Sequence, residues 1–445
     1  MQREHWASRL GFMLAAMGSA VGLGNIWRFS YVAGENGGGA FLVLYMVSVL
    51  IIGIPLLLVE VSIGRKAQRD IVGSYKKLVP DKPWFMVGYL GVLATLLILS
   101  FYSVVAGWSL YYLWGYITGD MAQMPLDGYG ATFDTFISRD YAPVFWHGLF
   151  MIFTMVIVLV GVKNGIELAN KILMPVLALL MIGLAVYSVT LPGSGEGLAF
   201  LFQPDWSVLK DPAVYFSAMG QAFFSLSLGI GTMMTYGSYL SKSQKLPGAV
   251  VGIGVMDTLF AVISGIVIFP AVFAFGIDPS SGPTLVFITL PEIFYQMSFG
   301  NVIAVIFFMA LSFAAISSSI SLLEVPVAYL MRAAKMSRKA ASLLVSIGVF
   351  ISGVTVSLGM GRWSGVTPIG NRNILDSMDY IASNVLMPIC GLSMALLVGW
   401  YFNRKEALHA SDLNNNQIGG TWYLLIKFIA PILILIIFLN EIVNV

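Results

Sequence analysis

Asp257 stands in the middle of an apolar run, between Gly254-Val255-Met256 and Thr258-Leu259-Phe260, with no basic residue near it in sequence. Burying an Asp at bilayer depth costs about 2.5–3.5 kcal/mol, so such a group is a functional candidate by default. An ionised carboxylate there needs a cation, and a metal ion is the simplest supplier. The alternative is a protonated Asp hydrogen-bonded to a neighbouring helix. Asn25, Ser225, Ser227, Ser317, Ser318, Ser319 and Ser321 lie in similar apolar surroundings, as do Glu60 and Glu324. Ala314, Ser317 and Ser318 fall on one helical face at i, i+3 and i+4. Hydroxyls and freed carbonyls are hard oxygen ligands suited to alkali or alkaline-earth cations, although membrane-helix serines also serve close packing. The single cysteine, Cys390, excludes an intramolecular disulfide and a Cys metal cluster. The three histidines (His5, His147, His409) lie at or near the ends of apolar runs. An intramembrane enzyme is therefore not expected.

The elements that must position these groups are membrane helices. The chain has 445 residues, of which 58% are hydrophobic and 10% charged, and its mean hydropathy is +0.86. Water-soluble domains carry about 25% charged residues, so one all-α integral membrane unit is expected. A net charge of +2 gives no case for nucleic acid. Apolar stretches long enough to cross the hydrocarbon occur at about 9–30, 39–64, 86–118, 144–162, 166–190, 213–240, 247–276, 299–331, 340–359, 375–402 and 421–440, eleven spans in all. Most of the 24 Lys and Arg gather in the segments on the N-terminal side of the bilayer, leaving Arg28, Arg139, Lys210, Arg362 and Arg372 opposite. The positive-inside rule then puts the N-terminus in the cytoplasm and, with an odd number of spans, the C-terminus outside. No removable signal peptide is expected.

Two spans carry an interruption. Gly22-Leu23-Gly24 lies in the first and Gly229-Ile230-Gly231 in the sixth. Glycine costs about 1 kcal/mol in a helix interior, and non-helical backbone at this depth survives only where protein or a polar cavity satisfies it. One such motif alone would favour close helix packing. Two of them, five spans apart and flanked by Asn or Ser, point to a discontinuous binding site at the bilayer centre. Five is odd, so the second unit is inverted relative to the first. The expected division is 1–190 (spans one to five), 191–402 (the inverted spans six to ten) and 403–445 (a cytoplasmic loop and the eleventh span).

The stretches Gly18 to Phe29, Glu35-Asn36-Gly37-Gly38-Gly39-Ala40-Phe41, Gly53-Ile54-Pro55 with Glu60, and Gln221 to Tyr236 resemble the neurotransmitter:sodium symporter family, in its bacterial branch of amino-acid carriers. The resemblance runs from Arg3 through the tenth span. It implies the leucine-transporter-like fold, an inverted five-plus-five repeat with helices one and six broken, and sodium-coupled uptake by alternating access. It implies two sodium ions. One would lie against the substrate carboxylate on Ala20, Asn25, Ser225 and Asp257, and the other on Gly18, Val21, Ala314, Ser317 and Ser318. The substrate would sit among Ser19, Ala20, Gly22, Gly24, Ile98, Tyr102, Phe224, Ser225, Ser227, Ile230, Ser318 and Leu322, capped by Tyr102 and Phe224. Arg28 and Asp379 would close the outer vestibule through water, and Glu60 would accept hydrogen bonds from the unwound sixth span.

The chain departs from that pattern in informative places. Relatives in the animal branch, and the leucine transporter, have Asn where Asp257 stands, and animal members need chloride nearby. A permanent negative charge at Asp257 implies that no chloride is required. The inner ion pair of the leucine transporter joins an N-terminal Arg, here Arg3, to an Asp at the end of the eighth span. Arg332 occupies that place, so no partner is assigned to Arg3. Gly165 and Pro175 enclose a stretch of the fifth span that either kinks statically or unwinds to admit water to the second sodium. Gly22 replaces the Asp of monoamine carriers, and Ile98, Phe224, Ile230 and Leu322 form an apolar pocket. The expected partners are hydrophobic L-amino acids, sodium and the lipid bilayer of a bacterial plasma membrane, with no organic cofactor and no obligatory protein partner. A non-transporting amino-acid sensor or an ion channel of the same fold is the alternative.

Overall fold

The computed structural model describes residues 4–126, 128–280, 282–414 and 416–443, all helices and turns with no strand among them. Nine of the described helices are long and apolar enough to cross a bilayer: Gly39–Ala67, Phe85–Thr118, Ala142–Val160, Val162–Val189, Pro247–Ala274, Gly300–Ala333, Arg338–Gly359, Ile374–Tyr401 and Gln417–Asn440. Arg9–Ala20 and Gly24–Glu35 form a bent pair with a 47° break, occupying the place of the first span. The sixth is divided into Pro212–Ser225 and Thr232–Ser238, each too short to cross alone.

Large apolar side chains face outward at helical intervals. Ile152, Val156 and Val160 do so on the fourth span, and Ile172, Leu179 and Val186 on the fifth. In water such stripes would be an aggregation hazard; in a bilayer the hydrocarbon is their solvent. The third and eighth spans, Phe85–Thr118 and Gly300–Ala333, pack along much of their length and form the bundle's centre. The first broken helix is bonded to this pair through Tyr102 and Ser318, and the second half of the sixth span packs against the eighth. The segments 119–143 and 191–212, which follow the third and fifth spans, contain the short helices Gly128–Ser138 and Ser194–Phe202. The latter lies so close to the seventh span that a Cβ on Gly197 would stand 2.4 Å from the Phe269 carbonyl oxygen.

Both breaks have local causes. At Val21 the chain leaves the helix for an extended conformation (φ −78°, ψ 103°). In the sixth span Ser227, Gly229 and Gly231 have φ of +52°, +84° and +78°, a region that L side chains occupy at a cost. The freed Gly229 N–H finds a buried acceptor in Glu60 Oε1 at 2.5 Å. Without it, a donor would remain unsatisfied at bilayer depth.

Candidate substrate and cation site

Asp257 comes from the seventh span and meets both breaks. Its Oδ1 accepts from Asn25 Nδ2 and Ser225 Oγ, each at 2.8 Å, and its Oδ2 accepts from Tyr45 Oη at 2.8 Å. Asn25 Nδ2 also reaches Ser225 Oγ at 3.1 Å and the Asp257 carbonyl at 3.0 Å, while Asn25 Oδ1 accepts from the Gly22 N–H at 3.2 Å. All four side chains are buried. Asn25, Ser225 and Asp257 thus form one oxygen-rich cluster, with Ala20 at the end of the first half-helix. Tyr45 was not singled out from sequence. A tyrosine in mid-span is the available signal, and only the fold shows that it faces Asp257.

A second cluster joins the first and eighth spans. Ser318 Oγ lies 3.1 Å from the Gly18 carbonyl oxygen and 3.3 Å from that of Val21. Ser317 Oγ lies 2.9 Å from the Ala314 carbonyl oxygen and 3.4 Å from that of Val21. Five oxygen donors from Gly18, Val21, Ala314, Ser317 and Ser318 therefore converge at the end of the first half-helix. This is the negative end of its dipole, which favours a cation. Neutral hard donors of this kind suit sodium better than a transition metal.

Between the clusters is a cavity lined by Ser19, Ala20, Gly22, Gly24, Ile98, Tyr102, Phe224, Ser227, Ile230, Ser318, Leu322 and Met387. Ser225 lies behind the wall, on Asp257. Tyr102 Oη accepts from the Leu23 N–H at 3.2 Å, and Ser227 Oγ donates to the Ser19 carbonyl at 3.2 Å. A Cβ on Gly22 would stand 2.2 Å from Ser318 Oγ and 2.9 Å from Tyr102 Oη, so no side chain fits there. Met387, from the tenth span, had no sequence signal: it is an ordinary apolar residue that tertiary packing brings to the wall. Backbone amides and hydroxyls at one end and Ile98, Ile230 and Leu322 at the other make the cavity amphipathic.

The outer end opens into a vestibule of about 160 Å³ over Phe224. Arg28 lies with its guanidinium carbon 4.6 Å from the Phe224 ring centre and donates to Gln221 Oε1 at 3.1 Å. Gln221 in turn donates to the Gly24 carbonyl. Asp379 accepts from Ser383 Oγ at 2.6 Å, so Arg28 and Asp379 are engaged with separate partners. The opposite end is packed shut. Trp6 donates to the Tyr236 carbonyl at 2.9 Å. Arg338 makes a two-pronged pair with Glu324 at 2.7 and 2.8 Å and a further bond to Glu4 at 3.0 Å, and Tyr239 donates to Glu324. Arg332 pairs with Asp70. Arg3 lies outside the described residues. The stretch between Gly165 and Pro175 is wound within the Val162–Val189 helix. A Cβ on Gly165 would stand 2.1 Å from the Ile157 carbonyl oxygen, which explains that glycine by packing.

Comparison with known proteins agrees with this architecture. The Sodium:neurotransmitter symporter family model matches residues 3–126 and 142–445. An uncharacterised sodium-dependent transporter of Bacillus subtilis is 40% identical over 440 residues, covering 98% of this chain and 97% of that protein. The sodium-dependent serotonin transporter of Drosophila melanogaster is 27% identical over 493 residues, covering 99% of this chain and 77% of its own length. The crystal structure of MhsT in complex with L-phenylalanine superposes with a TM-score of 0.93 at 56% identity, covering 99% of this chain and all of that one. A multi-pass helical bundle, two mid-bilayer breaks and a match along nearly the whole chain lead to one assignment: this chain belongs to the sodium:neurotransmitter symporter family and is a transporter, not an enzyme.

Proposed function

We propose that the protein imports hydrophobic L-amino acids, aliphatic and aromatic, by sodium-coupled alternating access and without chloride. The observation that carries this reading is the cavity between the two helix breaks, with one oxygen cluster beside each of its polar walls. A zwitterion laid across the breaks meets half-helix N-termini with its carboxylate and C-termini with its ammonium group. Its side chain faces Ile98, Ile230 and Leu322. MhsT, at 56% identity, was crystallised with L-phenylalanine, which supports an apolar amino acid as substrate here.

In this reading Ala20, Asn25, Ser225 and Asp257 hold a first sodium against the substrate carboxylate. Gly18, Val21, Ala314, Ser317 and Ser318 hold a second. For Asn25 to present its oxygen to the ion, its amide must turn over and release the Gly22 N–H, which then becomes a donor for the substrate carboxylate. Asp257 supplies a fixed negative charge beside the first ion, so no chloride is needed. Tyr102 and Phe224 cap the substrate, and Arg28 and Asp379 close above them. Eleven crossings, with 1–190 and 191–402 as inverted halves and 403–445 beyond them, follow if the divided sixth helix counts as one span. The basic residues then place the N-terminus in the cytoplasm of a bacterial cell and the C-terminus outside.

Coupling energy is ample. One charge crossing 100 mV yields about 2.3 kcal/mol, and a tenfold gradient yields about 1.4 kcal/mol. Two sodium ions therefore supply about 7 kcal/mol, a ceiling of about 10⁵ in accumulation. Uptake of labelled leucine and tryptophan into proteoliposomes, with sodium or choline outside and with chloride or gluconate, tests the proposal. Sodium-dependent, chloride-indifferent accumulation with saturable counterflow is expected. Conduction without saturation would indicate a channel, and binding without uptake a sensor.

A further inference from the structure

Asn170 is fully buried in the fifth span. Its Nδ2 donates to the Ile166 carbonyl at 2.9 Å, which fixes the sense of the amide, because the reverse orientation would set two oxygens against each other. Its Oδ1 is buried and has no hydrogen-bond partner. That oxygen points at the second cluster: a Cβ on Gly18 would stand 2.0 Å from Asn170 Oδ1 and 3.1 Å from Ser317 Cβ. Unpaired amide oxygens are rare in protein interiors, and each calls for an explanation. Here the oxygen lies against Gly18, on the side where Ser317 also packs, and both residues are assigned to the second sodium.

The same stretch of helix is fastened to the first span at a second point. Glu167 accepts from the Ala7 N–H at 2.7 Å and from Ser8 Oγ at 2.9 Å, with Lys171 at 2.7 Å on the same carboxylate. Glu167 thus grips the start of the first half-helix, and Asn170, three residues on, faces its far end. Movement of that half-helix away from the fifth span would break the Glu167 contacts and leave Asn170 Oδ1 as the polar group beside the opening.

We propose that Asn170 is a positioning residue for the second sodium. Its amide oxygen takes the water that hydrates the ion as it leaves toward the N-terminal end of the first span. This rests on the assignment of Gly18, Val21, Ala314, Ser317 and Ser318 to sodium. An amide oxygen is a hard acceptor suited to that ion and its water. Asn170→Leu keeps the approximate size and removes the oxygen. Asn170→Asp keeps the oxygen and adds charge.

The test uses the full chain in detergent or proteoliposomes. Sodium half-saturation is read from labelled-leucine binding. Sodium release is read by stopped-flow fluorescence from a reporter dye on dilution into choline. Asn170→Leu is expected to slow sodium release about tenfold or more, and Asn170→Asp to lower sodium half-saturation about threefold or more. The Asp variant carries the test if the Leu variant does not fold. Wild-type values in the folded variants would overturn the proposal. Ser317→Ala separates the two readings. If it raises sodium half-saturation while the Asn170 variants behave as wild type, only this inference fails. If Ser317→Ala also leaves sodium dependence untouched, the assignment of the second sodium fails with it.

Discussion

Replacing Asp257 by Asn removes one negative charge from a site that is otherwise nearly isosteric. The carboxylate accepts from Asn25 Nδ2, Ser225 Oγ and Tyr45 Oη, each at 2.8 Å. Ser225 and Tyr45 are hydroxyls that can turn to accept from the new amide, so the bundle should still assemble. Hydrogen bonds to a charged group are worth about 1.5–3 kcal/mol, against about 0.5–1.5 for neutral pairs. A unit charge about 4 Å from a cation contributes about 4 kcal/mol at an effective dielectric of 20. The lower desolvation cost of a neutral site offsets part of both. A net loss of about 1.4–2.8 kcal/mol, a ten- to hundredfold rise in sodium half-saturation, is the expected effect. The assay is leucine uptake into proteoliposomes in gluconate buffer with sodium titrated from low to high. Chloride should restore part of the loss in Asp257→Asn and change nothing in the wild type. Full uptake by the variant in chloride-free buffer, at wild-type sodium half-saturation, would refute the assigned role of Asp257.

Gly22→Ala drives a methyl group to 2.2 Å from Ser318 Oγ, where it displaces a hydroxyl that belongs to both the cavity and the second cluster. Substrate and sodium affinities measured by labelled-leucine binding should both fall about tenfold or more. Ile230→Phe fills the apolar end of the cavity, so competition assays should show tryptophan and phenylalanine losing about tenfold or more relative to valine or leucine. Arg338→Ala leaves Glu324, fully buried, without its two-pronged partner. Breaking such a pair costs about 3–5 kcal/mol. Lower thermal stability should accompany greater labelling of a cysteine placed at Ser19 by a reagent supplied from the N-terminal side. Unchanged labelling would show that the Glu4–Arg338–Glu324 contact does not hold that end closed.

The spans and their interruptions were legible because hydrocarbon thickness dictates run length and glycine pairs mark where a helix fails. Asp257 and the Ala314-Ser317-Ser318 face were legible because a polar group in an apolar run stands out without any fold. Twelve residues line the cavity, and all but Met387 are among those that the family resemblance implies. Met387 and Tyr45 are not, since an apolar methionine and a mid-span tyrosine look like ordinary packing until the fold turns them inward. The inner closure was also hidden. Glu324 and Arg338 lie on successive spans, the eighth and ninth, but Glu4 is more than 300 residues from both and joins them only through the packing of the bundle. Arg332 could be seen to break the relatives' pattern, but its partner Asp70 comes from the segment after the second span. The helices Gly128–Ser138 and Ser194–Phe202 are not legible in the sequence because their segments are short and mixed in polarity. Tertiary contact stabilises such elements, not a run of apolar residues.

The most direct measurement is equilibrium binding of labelled phenylalanine or leucine to the purified protein, in sodium chloride and in choline chloride at equal ionic strength. If an alkali cation completes the pocket between the two broken helices, binding should saturate in sodium and weaken about a hundredfold or more in choline. Equal retention of the amino acid in both salts would contradict it.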